Sequence, residues 1–119
     1  MIVEDEVITA MATGVMLKRL GYEVSAAVST GEAALEAFHR DRPDLVLMDI
    51  RLEGAMDGID TARLLRRAAD VPVVFLTAYV DAKTRRRAAE ISPFAFMTKP
   101  LDEFELEALM RRLYPGGHN

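Results

Sequence analysis

Five side chains with oxygen or nitrogen chemistry stand where apolar stretches of this 119-residue chain stop. They are Glu4 and Asp5 in "MIVEDE", Asp49 in "DLVLMD", Thr77 in "VPVVFLT" and Lys99 in "FAFMTKP". Three carboxylates drawn together would repel one another, and a hard cation would relieve that repulsion. Mg2+ suits such a set, because it takes oxygen ligands, keeps several waters and is usually held by one or two carboxylates plus phosphate. The hydroxyl and the ammonium are then free to bind the oxygens of a phosphoryl group, the lysine acting as a point charge. Each residue alone has an ordinary explanation. An acidic pair can begin a loop, a threonine can close a strand for its β-propensity, and Lys-Pro can be a turn. The chemistry therefore depends on whether the fold brings all five to one place.

Short β-rich runs alternate with helical stretches along the whole chain. Strands are expected at residues 1–4, 23–28, 44–49, 71–77 and 94–98. The first helix should run from Val7 to Leu20, with Ile8, Ala12, Met16 and Leu20 on its inner face and Gly21 as its stop. Ser29 and Glu32 have capping-box spacing before a second helix ending near Arg40. Further helices fall within 56–69 and 81–91. Asp102 and Glu105 repeat the capping spacing before a fifth, with Leu106, Leu109, Met110 and Leu113 facing inward. Five βα repeats with nearly continuous apolar strands imply a parallel sheet covered by helices on both faces. Ligands in such sheets gather at the carboxyl ends of the strands, beside the point where strand order reverses. All five side chains lie at such ends.

Composition narrows the function classes. The length fits one domain spanning residues 1–119. No apolar run approaches the ~18–20 residues of a membrane span. The start "MIVEDE" lacks a basic region followed by an apolar stretch, so no secretory signal is expected. There is no cysteine, hence no disulfide, thiolate nucleophile or Cys-based metal site. A net charge of −4 argues against nucleic acid as a direct partner. The arginine runs at 66–67, 85–87 and 111–112 read as solvated helix faces. A cytoplasmic protein with no membrane attachment is expected. Only three residues precede Glu4, so the first strand reads as shortened at its start, and "PGGHN" (115–119) reads as a frayed end.

The segments "VEDE", "LVLMDIRL", "MDGID", "VVFLTAY" and "FAFMTKP" resemble the receiver domain of two-component response regulators, over essentially the whole chain. That resemblance implies a flavodoxin-like α/β fold, a doubly wound five-stranded parallel sheet of order 2-1-3-4-5 with five helices. It implies that Asp49 is the phosphoacceptor, loaded from the histidine of a sensor kinase or phosphotransfer protein. Asp5, Asp49 and the main-chain carbonyl of Arg51 would bind Mg2+ directly, with Glu4 acting mainly through a water. Thr77 and Lys99 would hold the phosphoryl oxygens, Phe96 would be the aromatic switch residue, and the Lys99-Pro100 peptide would be cis. Output would pass through the face of helix four, strand five and helix five, to a partner or a second copy. There, Arg85, Arg86, Arg87, Arg111 and Arg112 mix with Glu90, Asp102, Glu103, Glu105 and Glu107.

The residues agree with those roles. Phosphoryl transfer rests on positioning and charge neutralisation. Ala78, beside Thr77, leaves room for the incoming group. Water attacking phospho-Asp49 would pass Arg51 and Tyr79, two residues beyond Asp49 and Thr77, and shielding by both predicts slow self-dephosphorylation; the alternative is that Tyr79 packs against helix four. Ser92-Pro93 stands where many receivers have Gly-Ala, predicting a stiff entry to strand five. Phe96 replaces the commoner tyrosine, so no switch hydroxyl is available. A haloacid-dehalogenase-type phosphatase would need a second Asp two residues after the nucleophile, where this chain has Arg51, which cannot donate a proton at neutral pH. A receiver-like module that is never phosphorylated would be expected to lack the Asp or the Lys, and both are present. Neither G-x-G-x-x-G nor a P-loop occurs.

Overall fold

The computed structural model describes residues 1–116. Its strands are β1 (Ile2–Val3), β2 (Ala27–Val28), β3 (Val46–Asp49), β4 (Val73–Thr77) and β5 (Ala95–Thr98). The helices are α1 (Val7–Arg19), α2 (Gly31–Asp41), α3 (Gly58–Ala68), α4 (Ala82–Ala89) and α5 (Glu103–Leu113). All strand pairs are parallel and the order is β2-β1-β3-β4-β5, as the resemblance implied.

Alternation along the central strands builds two cores. Val46 and Met48 of β3 join Val73 and Phe75 of β4 on one face, with Phe38 of α2, Ile59 and Leu65 of α3 and Ala88 of α4. Leu47, Val74 and Leu76 point the other way and meet Leu17 of α1 and Leu106, Leu109 and Met110 of α5. Because both faces are covered, β3 and β4 read as continuous apolar runs.

Several boundaries differ from expectation. β2 is two residues rather than six, because its only neighbour, β1, is also two residues long and pairs as Ile2↔Ala27 and Val3↔Val28. The second helix is capped by Thr30, whose side chain accepts from the Ala33 N–H at 3.1 Å, and not by Ser29. The inner face of α1 also differs. Ile8 is 83% exposed and Ala12 is exposed, while Thr13 and Leu17 are buried and Met16 and Leu20 are half-buried. Val7, Met11 and Val15 also face solvent, so α1 is apolar nearly all round. Its sequence could not reveal which side packs.

Asp102 caps α5 as expected, accepting from the Phe104 N–H at 2.7 Å. The Lys99–Pro100 peptide is cis. Ser92, in the α4–β5 connection, has φ of 51°, and Arg66 donates to the carbonyls of Ile91 and Ser92 at 3.1 and 3.2 Å. Residues 115–116 form an exposed turn; the rest of the expected frayed end, 117–119, lies outside the described residues. No helix among the described residues is long and apolar enough to cross a membrane.

Candidate functional site

The sheet delivers its strand ends to one edge. Asp49 and Thr77 are the last residues of β3 and β4, Lys99 follows β5, and Glu4 and Asp5 follow β1. The Lys99 N–H donates to the Thr77 carbonyl at 2.8 Å, extending the parallel register past the strand and setting the lysine beside its neighbours. Its Nζ lies 2.6 Å from Glu4 Oε1, 3.2 Å from Asp49 Oδ2 and 3.7 Å from Glu6 Oε1. Asp49 Oδ1 accepts from the Arg51 N–H at 3.1 Å, and Glu4 Oε2 from the Glu6 N–H at 3.1 Å.

A glycine makes this placement possible. Gly58 opens α3 directly behind Asp49, and its N–H donates to the Ile50 carbonyl at 2.9 Å. A Cβ at Gly58 would stand 1.9 Å from the Asp49 carbonyl oxygen. The start of α3 is thus packed onto the backbone that carries the carboxylate. It is fixed there by a capping box, in which Asp57 Oδ1 accepts from the Asp60 N–H at 2.8 Å and Asp60 Oδ2 from the Asp57 N–H at 3.4 Å.

Burial governs the charges. Glu4, Asp49 and Thr77 are all 5% exposed or less. Burial, followed by the neighbouring Glu4, pushes Asp49 up to about 6. Burial also works against charge on Glu4, but Lys99, Asp49 and the Glu6 N–H outweigh it and hold Glu4 below the usual carboxylate range. For Lys99, burial is likewise outweighed by Glu4 and Asp49, which keep its ammonium above the ordinary value. The pair therefore divides, Glu4 keeping its charge and Asp49 bearing the cost.

That division predicts an unusual response to acid in Mg2+-free buffer. With a folded pKa of about 6 against 3.8, Asp49 contributes stability that is full below about pH 4 and lost as pH rises through about 6. Glu4, shifted the opposite way, loses its contribution only below that window. Wild type should therefore gain more stability than Asp49→Asn on going from about pH 7 to about pH 5, as read by urea unfolding. Equal gains would show that Asp49 is not strained in this way.

The site is a cleft of about 300 Å³ lined by Asp5, Glu6, Asp49, Arg51, Glu53, Thr77, Ala78, Val80 and Lys99. Carboxylate oxygens of Glu4, Asp5 and Asp49 lie within 4.8 Å of one another. This all-oxygen set fits a small hard cation. Thr77 Oγ1 is buried without a hydrogen-bond partner, so a ligand oxygen entering the cleft would satisfy it.

The five strand-end residues are thus assembled, with Arg51 at the rim. Phe96 lies within β5, its ring 5.8 Å from that of Phe75. Tyr79 is 77% exposed and does not line the cleft, so neither shielding of the site nor packing on α4 describes it. Glu6 and Glu53 also line the cleft and were not anticipated. The acidic run "EDE" was the available signal for Glu6, whereas nothing in the sequence distinguished Glu53 from an ordinary loop residue.

Comparison with known proteins agrees with this geometry. A sequence profile described as the response regulator receiver domain matches residues 1–111. A probable transcriptional regulator, ycf27, of Guillardia theta is 36% identical over 111 residues, covering 93% of this chain and 43% of the relative. The transcriptional regulatory protein CseB of Streptomyces coelicolor is 37% identical over 109 residues, covering 92% and 46% respectively. The chain thus spans about half the length of the curated relatives it matches. Among solved structures, the signal receiver domain of a modulated diguanylate cyclase from Desulfovibrio desulfuricans G20 superimposes with a TM-score of 0.89 at 35% identity, covering 93% of this chain and 88% of that one.

Proposed function

Because the chain belongs to the response regulator receiver family, which acts in two-component signalling, we propose that Asp49 is its phosphoacceptor. The observation that carries this reading is the buried Asp49 carboxylate, 3.2 Å from Lys99 and sharing its cleft with the unpartnered Thr77 hydroxyl. An Asp49 oxygen attacks the phosphorus of a phosphohistidine in line. The new O–P bond forms as the N–P bond breaks, and the bonding pair returns to the imidazole. Lys99 then exchanges its contact with Asp49 for a phosphoryl oxygen, and Thr77 Oγ1 donates to another. Labelling by acetyl phosphate, followed by intact mass, tests the assignment.

Receiver domains generally bind Mg2+ at an acidic pocket. Here Glu4, Asp5 and Asp49, with the main-chain carbonyl of Arg51, would hold the ion, which supplies positive charge against the phosphoryl oxygens. Receivers are signalling domains rather than enzymes in the usual sense, and they interact with histidine kinases and effector partners. For this chain the donor would be a sensor histidine kinase or phosphotransfer protein in the cytoplasm, acting on a single domain of residues 1–119. Output would pass through the face of α4, β5 and α5, to an effector or a second copy. Much of the charge on that face is already engaged within the chain: Arg87 with Asp57 and Asp60, Glu90 with Arg63, Glu103 with Arg19 and Arg111 with Glu107. A symmetric dimer would have to exchange such pairs for intermolecular ones. Sedimentation with and without beryllofluoride tests for it.

Self-dephosphorylation needs a water in line with the phosphorus. Arg51 lines the cleft and Tyr79 does not. Arg51→Ala should therefore speed phosphate release several-fold, while Tyr79→Ala leaves it near the wild-type rate. Timed phosphate release at constant pH and Mg2+ checks this. An unchanged rate in Arg51→Ala would remove that side chain from control of the lifetime.

A further inference from the structure

The helix that follows Thr77 has a single buried residue and makes several of its side contacts through guanidinium groups. Of the eight residues of α4, that one is Ala88. On one side, the Arg85 guanidinium carbon lies 4.6 Å from the centre of the Phe96 ring. On the other, Arg87 reaches α3, donating from Nη1 to Asp57 Oδ2 at 3.2 Å and from Nη2 to Asp60 Oδ1 at 3.3 Å. Arg63 of α3 lies 3.7 Å from Glu90, just past the end of α4.

Asp57 and Asp60 are also the two halves of the capping box that begins α3. Each uses one carboxylate oxygen on the α3 backbone and gives the other to Arg87. Gly58, next in the chain, stands against the Asp49 carbonyl. Arg87 is therefore linked to the backbone of Asp49 through two carboxylates and a glycine. A second route is the chain itself: residues 78–81 join Thr77 to α4, whose N-cap, Asp81, accepts from the Thr84 N–H at 2.7 Å.

We propose that Arg87 is a positioning residue for the switch. Its bridge to Asp57 and Asp60 locks α4 onto the start of α3 and opens when the loaded site draws Thr77 inward. This rests on Asp49 being the phosphoacceptor. A phosphoryl group there offers the unpartnered Thr77 hydroxyl an acceptor. Movement of Thr77 toward it pulls residues 78–81 and the first turn of α4, while Arg87 holds the last turn on α3. α4 can follow Thr77 only when Arg87 lets go of α3. Its side chain is 37% exposed, against 33% for Asp57 and 45% for Asp60. Pairs of that exposure are individually weak, so a modest difference in affinity between the two states is enough to open them.

Hydrogen–deuterium exchange of the full chain, read over 57–60 and 82–90, tests the latch, with beryllofluoride and Mg2+ as the phosphoryl mimic. Without the mimic, Arg87→Met should lose protection in both segments together. Arg87→Lys should recover part of it, because an ammonium lacks the fork that reaches both carboxylates at once. The mimic concentration at half-saturation should fall about threefold in Arg87→Met, the scale expected for a pair of part-exposed ion bridges. Loss of protection confined to 82–90, or a half-saturation point equal to that of wild type, would overturn the proposal. Asp49→Asn separates it from the reading beneath it. Equal binding of the mimic by wild type and Asp49→Asn would overturn the assignment of Asp49, while the mimic-free exchange still decides whether Arg87 ties α4 to α3.

Discussion

Asp49→Asn should gain no phosphoryl group from acetyl phosphate in Mg2+, under conditions in which the wild-type protein gains one. The substitution is nearly isosteric, so the cleft keeps its shape and Arg51 can still donate its N–H to the side-chain oxygen. What disappears is the anionic nucleophile, and a neutral amide oxygen does not replace it. Lys99 and Glu4 would then pair without the third charge that strains the site. The variant should be at least as stable as wild type at neutral pH, which separates a chemical effect from a folding defect. Intact mass reads the outcome directly, and EDTA should abolish labelling of the wild type. Equal labelling of the two proteins would move the acceptor elsewhere, with Glu4 and Asp5 the next carboxylates to examine.

Gly58→Ala should cost about 3 kcal/mol or more of folding stability, the upper end of what overpacking usually costs. The added methyl would meet the Asp49 carbonyl oxygen at 1.9 Å, its carbon at 2.8 Å and Ile50 Cα at 2.9 Å. These are backbone atoms at and just past the buried end of β3, and none can swing aside as the tip of a side chain can. Relief requires α3 or the end of β3 to shift, and either displaces the Asp49 carboxylate from Lys99. Phosphoryl uptake should therefore fall even in the fraction that remains folded. The same substitution at Gly14 is the contrast. There the nearest atom would be Ile2 Cδ1 at 3.9 Å, in the interior of α1. Gly14→Ala should stabilise by up to about 1 kcal/mol through helix propensity. Urea unfolding of both variants gives the two signs. A loss at Gly58 no larger than about 1 kcal/mol would mean that the start of α3 is more compliant than its contacts suggest.

The order of elements and the meeting of Glu4, Asp5, Asp49, Thr77 and Lys99 were legible because a parallel sheet makes strand ends coincide. Each of those residues closes an apolar run, and period and termination are both written locally. The inner face of α1 was not legible. Val7, Ile8, Met11 and Val15 are as apolar as the residues that pack, so the choice between faces is made by the sheet and α5. The cap of α2 was misplaced by one residue because Ser29 and Thr30 are both competent caps. The reach of Arg87 to Asp57 and Asp60 spans 30 and 27 residues, and no local pattern marks it. Glu53 and Tyr79 were missed or misjudged for a related reason. A loop residue's spacing from a strand end does not say which way its side chain turns.

The attachment of α4 has a thermal consequence. Heat-capacity changes in proteins come largely from apolar surface meeting water. With Ala88 as the only buried residue of α4, releasing this helix would expose little such surface, while unfolding the two cores would expose much. The free energy of releasing α4 should therefore run nearly flat with temperature beneath the curved stability profile of the whole domain. Dissolved ions act differently. They screen part-exposed charges strongly and leave the buried aliphatic layers almost untouched. Ionic strength should therefore weaken the hold on α4 more than warming does.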